Sequence, residues 1–270
     1  MLGTELVKVF FDKNVTAWDM EDLDITSKEH VKEKVRTLSP DVIINAAAYN
    51  AVDKAEEEKE KANILNGYAP GYLAEIANDI NATIVHYSTD YVFEGEKKEG
   101  YTEDDVPNPI SAYGSSKFLG EKEVQEKNKK HYIIRLSRLF GKTGSGTAVK
   151  KSFADIMLDL AKGEKEIKVI DEEVSSPTYA PDLAKRTKMI LETAQPFGIY
   201  HAANSGSCTW YEFAKEVFNI MGIEKEIVKI SGDGLKRLAQ RPQYSVLLNT
   251  KLPEARHWTL ALRDYLDSIF

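Results

Sequence analysis

Only one cysteine, Cys208, occurs in the sequence, so no internal disulfide can form. Nothing beside it marks a nucleophile, and a small buried residue is its expected role. The five histidines (His30, His86, His131, His201 and His257) are scattered and lack the close pairing of a zinc-ligand set, so no metal site is expected. No apolar run approaches the roughly 18 residues of a membrane-spanning helix. The opening Met1-Leu2-Gly3-Thr4-Glu5 has no basic stretch followed by an apolar one, so no signal peptide is read. An excess of positive charge is also missing. The net charge of −7 argues against a nucleic-acid surface and for ordinary cytoplasmic solubility.

What is present suits a soluble globular protein with a substantial core: 42% hydrophobic and 29% charged residues over 270 positions. That length allows one large domain or two small ones. Residues 4–11 read as the body of a helix, 14–18 as a short strand, and the charged amphipathic stretch ending at Leu38 as a second helix. Pro40 and Asp41 lead into the apolar run Val42-Ile43-Ile44-Asn45, which suits a buried strand. A long helical stretch follows from about residue 52 to 78. A strand is read at 83–87, a helix from Tyr113 to about 128 and a strand at 131–137. Strands alternating with helices predict a parallel sheet covered on both faces. Later segments read as helices at 151–162, 181–193, 210–221 and 259–270, with strands at 166–170 and 199–203. Thr209 is the candidate cap of the helix from Trp210.

The most informative motif is Tyr113-Gly114-Ser115-Ser116-Lys117, with Ser88-Thr89-Asp90 lying 23 to 25 residues before Tyr113. A Tyr and a Lys four apart share one helix face. An ammonium there is expected to pull the phenol pKa down toward working pH. A phenol so tuned can exchange a proton with a carbonyl or alcohol oxygen. Thr89 offers a hydroxyl to orient the same oxygen. The spacing alone is a weak signal, since with 13 tyrosines one such pair arises by chance on a solvated helix face. Context strengthens it. An apolar strand runs into the polar turn at Thr89, and Pro107-Asn108-Pro109 marks a loop before the Tyr113 helix. A strand-end hydroxyl beside a helix-borne Tyr/Lys pair fits the carboxyl edge of a parallel sheet.

An ordered set of segments carries a resemblance over nearly the whole chain. It comprises Leu23-Asp24-Ile25-Thr26, residues 40–48, Ala51-Val52-Asp53-Lys54-Ala55-Glu56, residues 88–93, the Tyr113 motif, Gly120-Glu121, Ser176-Pro177-Thr178, Thr209-Trp210-Tyr211 and Arg241-Pro242. Together they resemble the extended short-chain dehydrogenase/reductase family. The resemblance implies a Rossmann-like doubly wound parallel α/β sheet with a smaller C-terminal substrate-binding lobe. The dinucleotide-binding domain would span residues 1–140. Residues 141–270 would mainly form the substrate lobe, with segments crossing back. The implied activity is NADPH- or NADH-dependent reduction of the C4 keto group of a nucleotide-linked deoxysugar, foremost dTDP-4-dehydro-β-L-rhamnose to dTDP-L-rhamnose. Another sugar-nucleotide reductase or epimerase stays open, as does a non-catalytic regulatory subunit like the β subunit of methionine adenosyltransferase. A homodimer also stays open, while nucleic-acid and membrane partners are not expected.

Roles are implied residue by residue. Tyr113 would donate the proton, Lys117 would hold the nicotinamide ribose and tune Tyr113, and Thr89 would bind the substrate oxygen. Asp90 would touch the sugar. Asp24 and Ile25 would meet the adenine side, and Ala46, Ala47 and Ala48 the phosphates and ribose. Tyr87 would lie beside the nicotinamide ribose. Arg241 would meet the nucleotide end, where a guanidinium suits a pyrophosphate. Asp19, at the end of the second strand, would accept a ribose hydroxyl and disfavour a 2′-phosphate. The family's opening strand and G-x-x-G-x-x-G turn are represented only by Leu2 and the final glycine, Gly3. The expectation is therefore a sequence lacking that strand and most of the phosphate turn. Arg138 stands where the family has a sugar-contacting Trp. It is expected to face the substrate, because an unpaired guanidinium is costly to bury. The basic stretch 142–151 is a candidate for an anionic nucleotide or a solvated loop.

Overall fold

A four-stranded parallel sheet organises the protein. The computed structural model describes residues 1–144, 151–232 and 235–269. Strands β1 (Val42–Asn45), β2 (Thr83–Thr89), β3 (His131–Leu136) and β8 (Gly198–His201) form a parallel sheet in the order β1-β2-β3-β8. Ile84 and Ile133 point to one face, where they meet Val31, Val35, Leu73, Ile76 and Val124. These come from α2 (Lys28–Leu38), α5 (Ala69–Asp79) and α6 (Ala112–Lys127). Val85, Tyr87, Tyr132 and Ile134 point to the other face, against Leu2, Leu6, Leu183 and Ile190. Those belong to α1 (Leu2–Val9) and α8 (Ala180–Glu192). Helices on both faces give the expected doubly wound sheet.

The expected strand at 14–18 is absent. Among the described residues this segment pairs with no strand, and its residues are mostly exposed. A strand exists only where a neighbour shares its hydrogen-bond ladder, and here β1 is the sheet edge, with Val42 exposed. Trp18, Leu23 and Ile25 instead tuck against Ile43 and α2. The helix expected over 52–78 is broken into α3 (Lys54–Glu57), α4 (Lys59–Asn63), a π-helical turn (Ile64–Tyr68) and α5.

A second core is built from Met157 and Leu158 of α7 (Phe153–Ala161), Ile167 and Val169 of β5 (Ile167–Ile170), Phe213 and Val217 of α9 (Trp210–Met221), and Trp258 and Leu262 of α10 (Trp258–Asp267). Thr209 caps α9 in a capping box with Glu212, as its sequence predicts. Strand β9 (Ile227–Ile230), which sequence reading missed, pairs with β5. Two short parallel pairs join distant segments: β4 (Leu139–Phe140) with β7 (Thr178–Tyr179), and β6 (Val174–Ser175) with β10 (Tyr244–Ser245). The chain therefore crosses between the cores more than once. Residues 145–150 of the basic stretch lie outside the described residues.

Candidate active site

The carboxyl ends of the four parallel strands deliver Ala46, Thr89, Ser137 and Ala202 to one edge of the sheet. Ligands of open parallel sheets bind at this edge. Thr89 ends β2, and its Oγ1 accepts the Tyr91 N–H at 3.2 Å, capping a short 3₁₀ turn. Helix α6 comes down on that turn. Ser111 caps it by accepting the Gly114 N–H at 3.1 Å. Gly114 and Gly120 set how close it lies. A Cβ on Gly114 would sit 2.2 Å from the Tyr91 carbonyl oxygen, and one on Gly120 would sit 2.1 Å from the Asn66 carbonyl oxygen. Only glycine fits where two backbones approach this closely.

This contact brings Tyr113 toward Thr89, whose hydroxyl pulls the phenol's pKa down. Tyr91 packs edge-on to the Tyr113 ring at 5.6 Å between centroids. Lys117, one turn on and 3% exposed, donates from Nζ to the Tyr87 carbonyl at 2.6 Å. The structure therefore places Thr89 at the end of β2 and Tyr113 and Lys117 one turn apart on α6, with Lys117 bonded to the β2 backbone at Tyr87. The expected electrostatics require correction. Burial pushes the Tyr113 phenol up to about 12, against a smaller downward pull from the Thr89 hydrogen bond. Burial also pulls the Lys117 ammonium down to about 8. Loss of solvation dominates both shifts, and the Asp90 charge adds to the cost of a Tyr113 phenolate.

Asp90 is 3% exposed and accepts hydrogen bonds from three hydroxyls. Thr89 Oγ1 donates to Oδ1 at 3.0 Å, and Ser137 Oγ (2.8 Å) and Ser245 Oγ (2.6 Å) donate to Oδ2. Arg138 is half-buried and has a left-handed φ of 43°. The expectation that Arg138 faces the substrate assumed an unpaired guanidinium, and here the group is paired. Nη1 donates to the Cys208 carbonyl at 2.8 Å and Nη2 to the Glu173 carbonyl at 2.6 Å, while the group stacks on Trp210 at 4.1 Å. Pairing with carbonyls and an aromatic face offsets the burial cost on which that expectation rested. Arg241 is also engaged, with Nη2 donating to Asp53 Oδ2 at 2.6 Å and Nη1 to Oδ1 at 3.1 Å. Asp53 further accepts the Leu238 and Ala239 N–H groups, so it joins α3's start to the 238–241 segment.

The residues assigned to a dinucleotide are spread along the same edge. Ala46 and Ala47 are exposed just past β1. Asn45 Oδ1 accepts the Ala47 N–H at 3.1 Å, and Asn45 Nδ2 contacts the buried His86 Nδ1 at 3.2 Å. Asn66, on the π-helical turn, holds both backbone groups of Tyr49 and donates to Ser116 Oγ at 3.0 Å. It ties the Ala46–Ala48 turn to α6. Sequence reading missed Asn66, although the glycine and proline at Gly67 and Pro70 inside a helical pattern signal a local irregularity. Tyr87 is buried, and its hydroxyl shares a hydrogen with Thr187 Oγ1 at 2.7 Å. Leu2 packs in the same core cluster as Tyr87, while Gly3 is exposed with open space around it. Asp24 accepts from Thr26 N and Oγ1, and Ile25 packs beside Trp18. Asp19 lies in an exposed turn and not at a strand end, where its Oδ1 accepts the Met20 N–H.

This edge fits a dinucleotide on one physical ground above others. The buried Lys117 ammonium carries three hydrogens, and its one hydrogen-bond acceptor among the described residues is the Tyr87 carbonyl. The spare donors suit ligand hydroxyls, and the exposed alanine turn leaves room for close backbone approach.

Comparison with known proteins gives the following. A family model described as RmlD substrate binding domain matches residues 1–270. The dTDP-4-dehydrorhamnose reductase of Escherichia coli (strain K12) is 39% identical over 95% of this chain and 90% of that protein. The spore coat polysaccharide biosynthesis protein SpsK of Bacillus subtilis (strain 168) is 38% identical over 98% of this chain and 93% of its own. Among solved structures, dTDP-4-dehydrorhamnose reductase from Bacillus anthracis str. Ames in complex with NADP superposes with a TM-score of 0.92. It is 33% identical and covers 99% of this chain and 95% of that one.

Proposed function

The chain belongs to the RmlD substrate binding domain family, and from that membership we propose that it reduces the C4 keto group of a nucleotide-linked deoxysugar, foremost dTDP-4-dehydro-β-L-rhamnose. It is an NADPH-dependent oxidoreductase acting on a sugar nucleotide. The bound nicotinamide supplies the hydride that reaches the carbonyl carbon. The chain's own residues handle the proton and the geometry. As a C–H bond forms and the C=O π pair moves onto oxygen, Tyr113 gives its phenolic proton to that oxygen, completing the alcohol and leaving a phenolate. Thr89 orients that oxygen, and the Lys117 ammonium offers its spare donors to the ribose and stabilises the phenolate left behind. Arg241, steered by Asp53, meets the diphosphate. Residues 1–140 chiefly hold the cofactor and 141–270 the sugar nucleotide. No helix among the described residues is long and apolar enough to cross a membrane; the proposed cytoplasmic location rests on the similarity to biosynthetic reductases.

The placement of Thr89 at the end of β2 and of Tyr113 and Lys117 on the helix packed over it supports this reading, since a non-catalytic relative has no use for a buried phenol and ammonium at that edge. The test is consumption of NADPH and NADH by the purified chain against a panel of dTDP-, UDP- and GDP-linked 4-keto sugars. Turnover highest with dTDP-4-dehydro-β-L-rhamnose is expected. Tight binding of cofactor with no turnover on any sugar would instead support a regulatory subunit. Sedimentation with and without cofactor reads the oligomeric state.

A further inference from the structure

A hydroxyl has a single hydrogen, and that of Thr89 has two claimants. Asp90 Oδ1 lies 3.0 Å from Thr89 Oγ1, and the Tyr113 phenol, whose pKa the Thr89 hydroxyl pulls down, faces the same group. An ionised carboxylate can only accept. While Asp90 is ionised, the Thr89 hydrogen is therefore committed to it. Thr89 can then only accept from the phenol, which holds back the proton that Tyr113 must release. It also offers no donor to the phenolate that results.

A protonated Asp90 reverses this order. Ser137 and Ser245 both donate to Oδ2, so Oδ2 is already fixed as the acceptor. The proton then belongs on Oδ1, the oxygen facing Thr89. From there it can be donated to Thr89 Oγ1, which frees the Thr89 hydrogen for the Tyr113 oxygen or the sugar carbonyl. We propose that Asp90 is a positioning residue that sets the direction of the Thr89 hydrogen bond, its protonated form promoting proton release from Tyr113 and its ionised form opposing it. The inference rests on the reductase reading of the site. It gives Asp90 a task beyond contact with the sugar, and makes Ser245, from β10, part of the same device.

Charge points the same way. An ionised Asp90 raises the cost of a phenolate at both Tyr113 and Tyr91. Burial pushes the Asp90 carboxyl upward, while the hydroxyls of Ser245, Ser137 and Thr89 and the Arg138 guanidinium restrain it. The groups facing Asp90 are thus Tyr113 from α6, Tyr91 from its own turn, Arg138 and Ser137 from the end of β3, and Ser245 from β10.

The pH dependence of kcat, measured on the full chain at saturating sugar nucleotide and cofactor, tests the proposal. In the wild type kcat falls as pH rises through the Asp90 ionisation. Asp90→Asn removes that inflection. Ser245→Ala deletes one donor to the carboxylate and moves the inflection up by about one pH unit. An inflection arising from Lys117 would not move in Ser245→Ala. The proposal is overturned if Asp90→Asn raises only KM and keeps the wild-type profile, or if Ser245→Ala leaves the inflection in place. Carboxyl-carbon NMR of Asp90 reads the Ser245→Ala shift even if Asp90→Asn folds poorly. It also reads that shift in a chain that reduces no sugar nucleotide, so loss of the reductase reading and loss of this one are told apart.

Discussion

Gly114→Ala adds one methyl group beside Tyr113, and the structure sets its consequence. The new Cβ would lie 2.2 Å from the Tyr91 carbonyl oxygen and 3.1 Å from the Pro109 Cβ. The closest atom is backbone of the turn after β2, so no flexible side-chain end can swing aside. Helix α6 must retreat by roughly 1 Å to restore an ordinary contact. That retreat carries Tyr113 away from Thr89 and Lys117 away from the Tyr87 carbonyl. A misplacement of about 1 Å can cost about a hundredfold in rate, and overpacking of this kind costs about 1–3 kcal/mol. The expected result is kcat lowered by about two orders of magnitude, with Tm lower by about 4–8 °C for a loss near 2 kcal/mol. Ser115→Ala is the control. Ser115 is exposed on the same helix, so its change should stay within about 0.5 kcal/mol and leave turnover intact. Steady-state kinetics and thermal unfolding of both variants provide the readout. Near-normal kcat in Gly114→Ala would refute the claim that backbone contact at Gly114 sets the catalytic geometry.

Tyr113→Phe keeps the ring but removes the transferable proton, and kcat should fall at least about a hundredfold with cofactor affinity little changed; near-normal turnover would remove Tyr113 from the mechanism. Glu121→Gln strands the buried Arg135, which Glu121 holds through two bonds of 2.9 and 2.7 Å with both side chains 1% exposed. Urea unfolding should show a loss of about 3–5 kcal/mol, and a loss under about 1 kcal/mol would mean that the pair is solvated. For Lys117, burial lowers the folded pKa from 10.5 to about 8. Between those values the unfolded chain binds more protons, so this group's contribution makes stability rise with pH across the window. Ribose acceptors favour the charged form, so cofactor binding above pH 8 should take up close to one proton, and binding well below it almost none. Calorimetry in buffers of different ionisation heats counts those protons, and a zero count on the alkaline side would separate Lys117 from the cofactor.

Much of the site was legible because its signals are local. A strand ending in Ser88-Thr89-Asp90 and a Tyr/Lys pair at helical spacing depend only on neighbours in sequence, and both stand where expected. The runs read as strands at 42–45 and 83–87 likewise stand as β1 and β2, β2 buried along nearly its whole length and β1 partly exposed at the sheet edge. The segment 14–18 was misread because an extended, β-prone stretch becomes a strand only through a partner's ladder, which no local pattern records. The helix expected over 52–78 was misread at Asn66, where packing of the π-helical turn against Gly120 and the claims of Tyr49 and Ser116 on the Asn66 side chain override local periodicity.

The sequence by itself determined the two-sided parallel sheet, most of its strands and covering helices, and the residue types able to move a proton. It could not determine which atoms those residues would face. The direction of the Tyr113 shift, the pairing of Arg138 with two carbonyls and Trp210, the Asp53–Arg241 tie and the three hydroxyls on Asp90 were decided only by the tertiary structure. All but the Thr89–Asp90 bond join residues distant in the chain, and each depends on how completely folding removes water. Desolvation and hydrogen-bond direction are properties of the packed site, and they outweigh the intrinsic chemistry of any one side chain there.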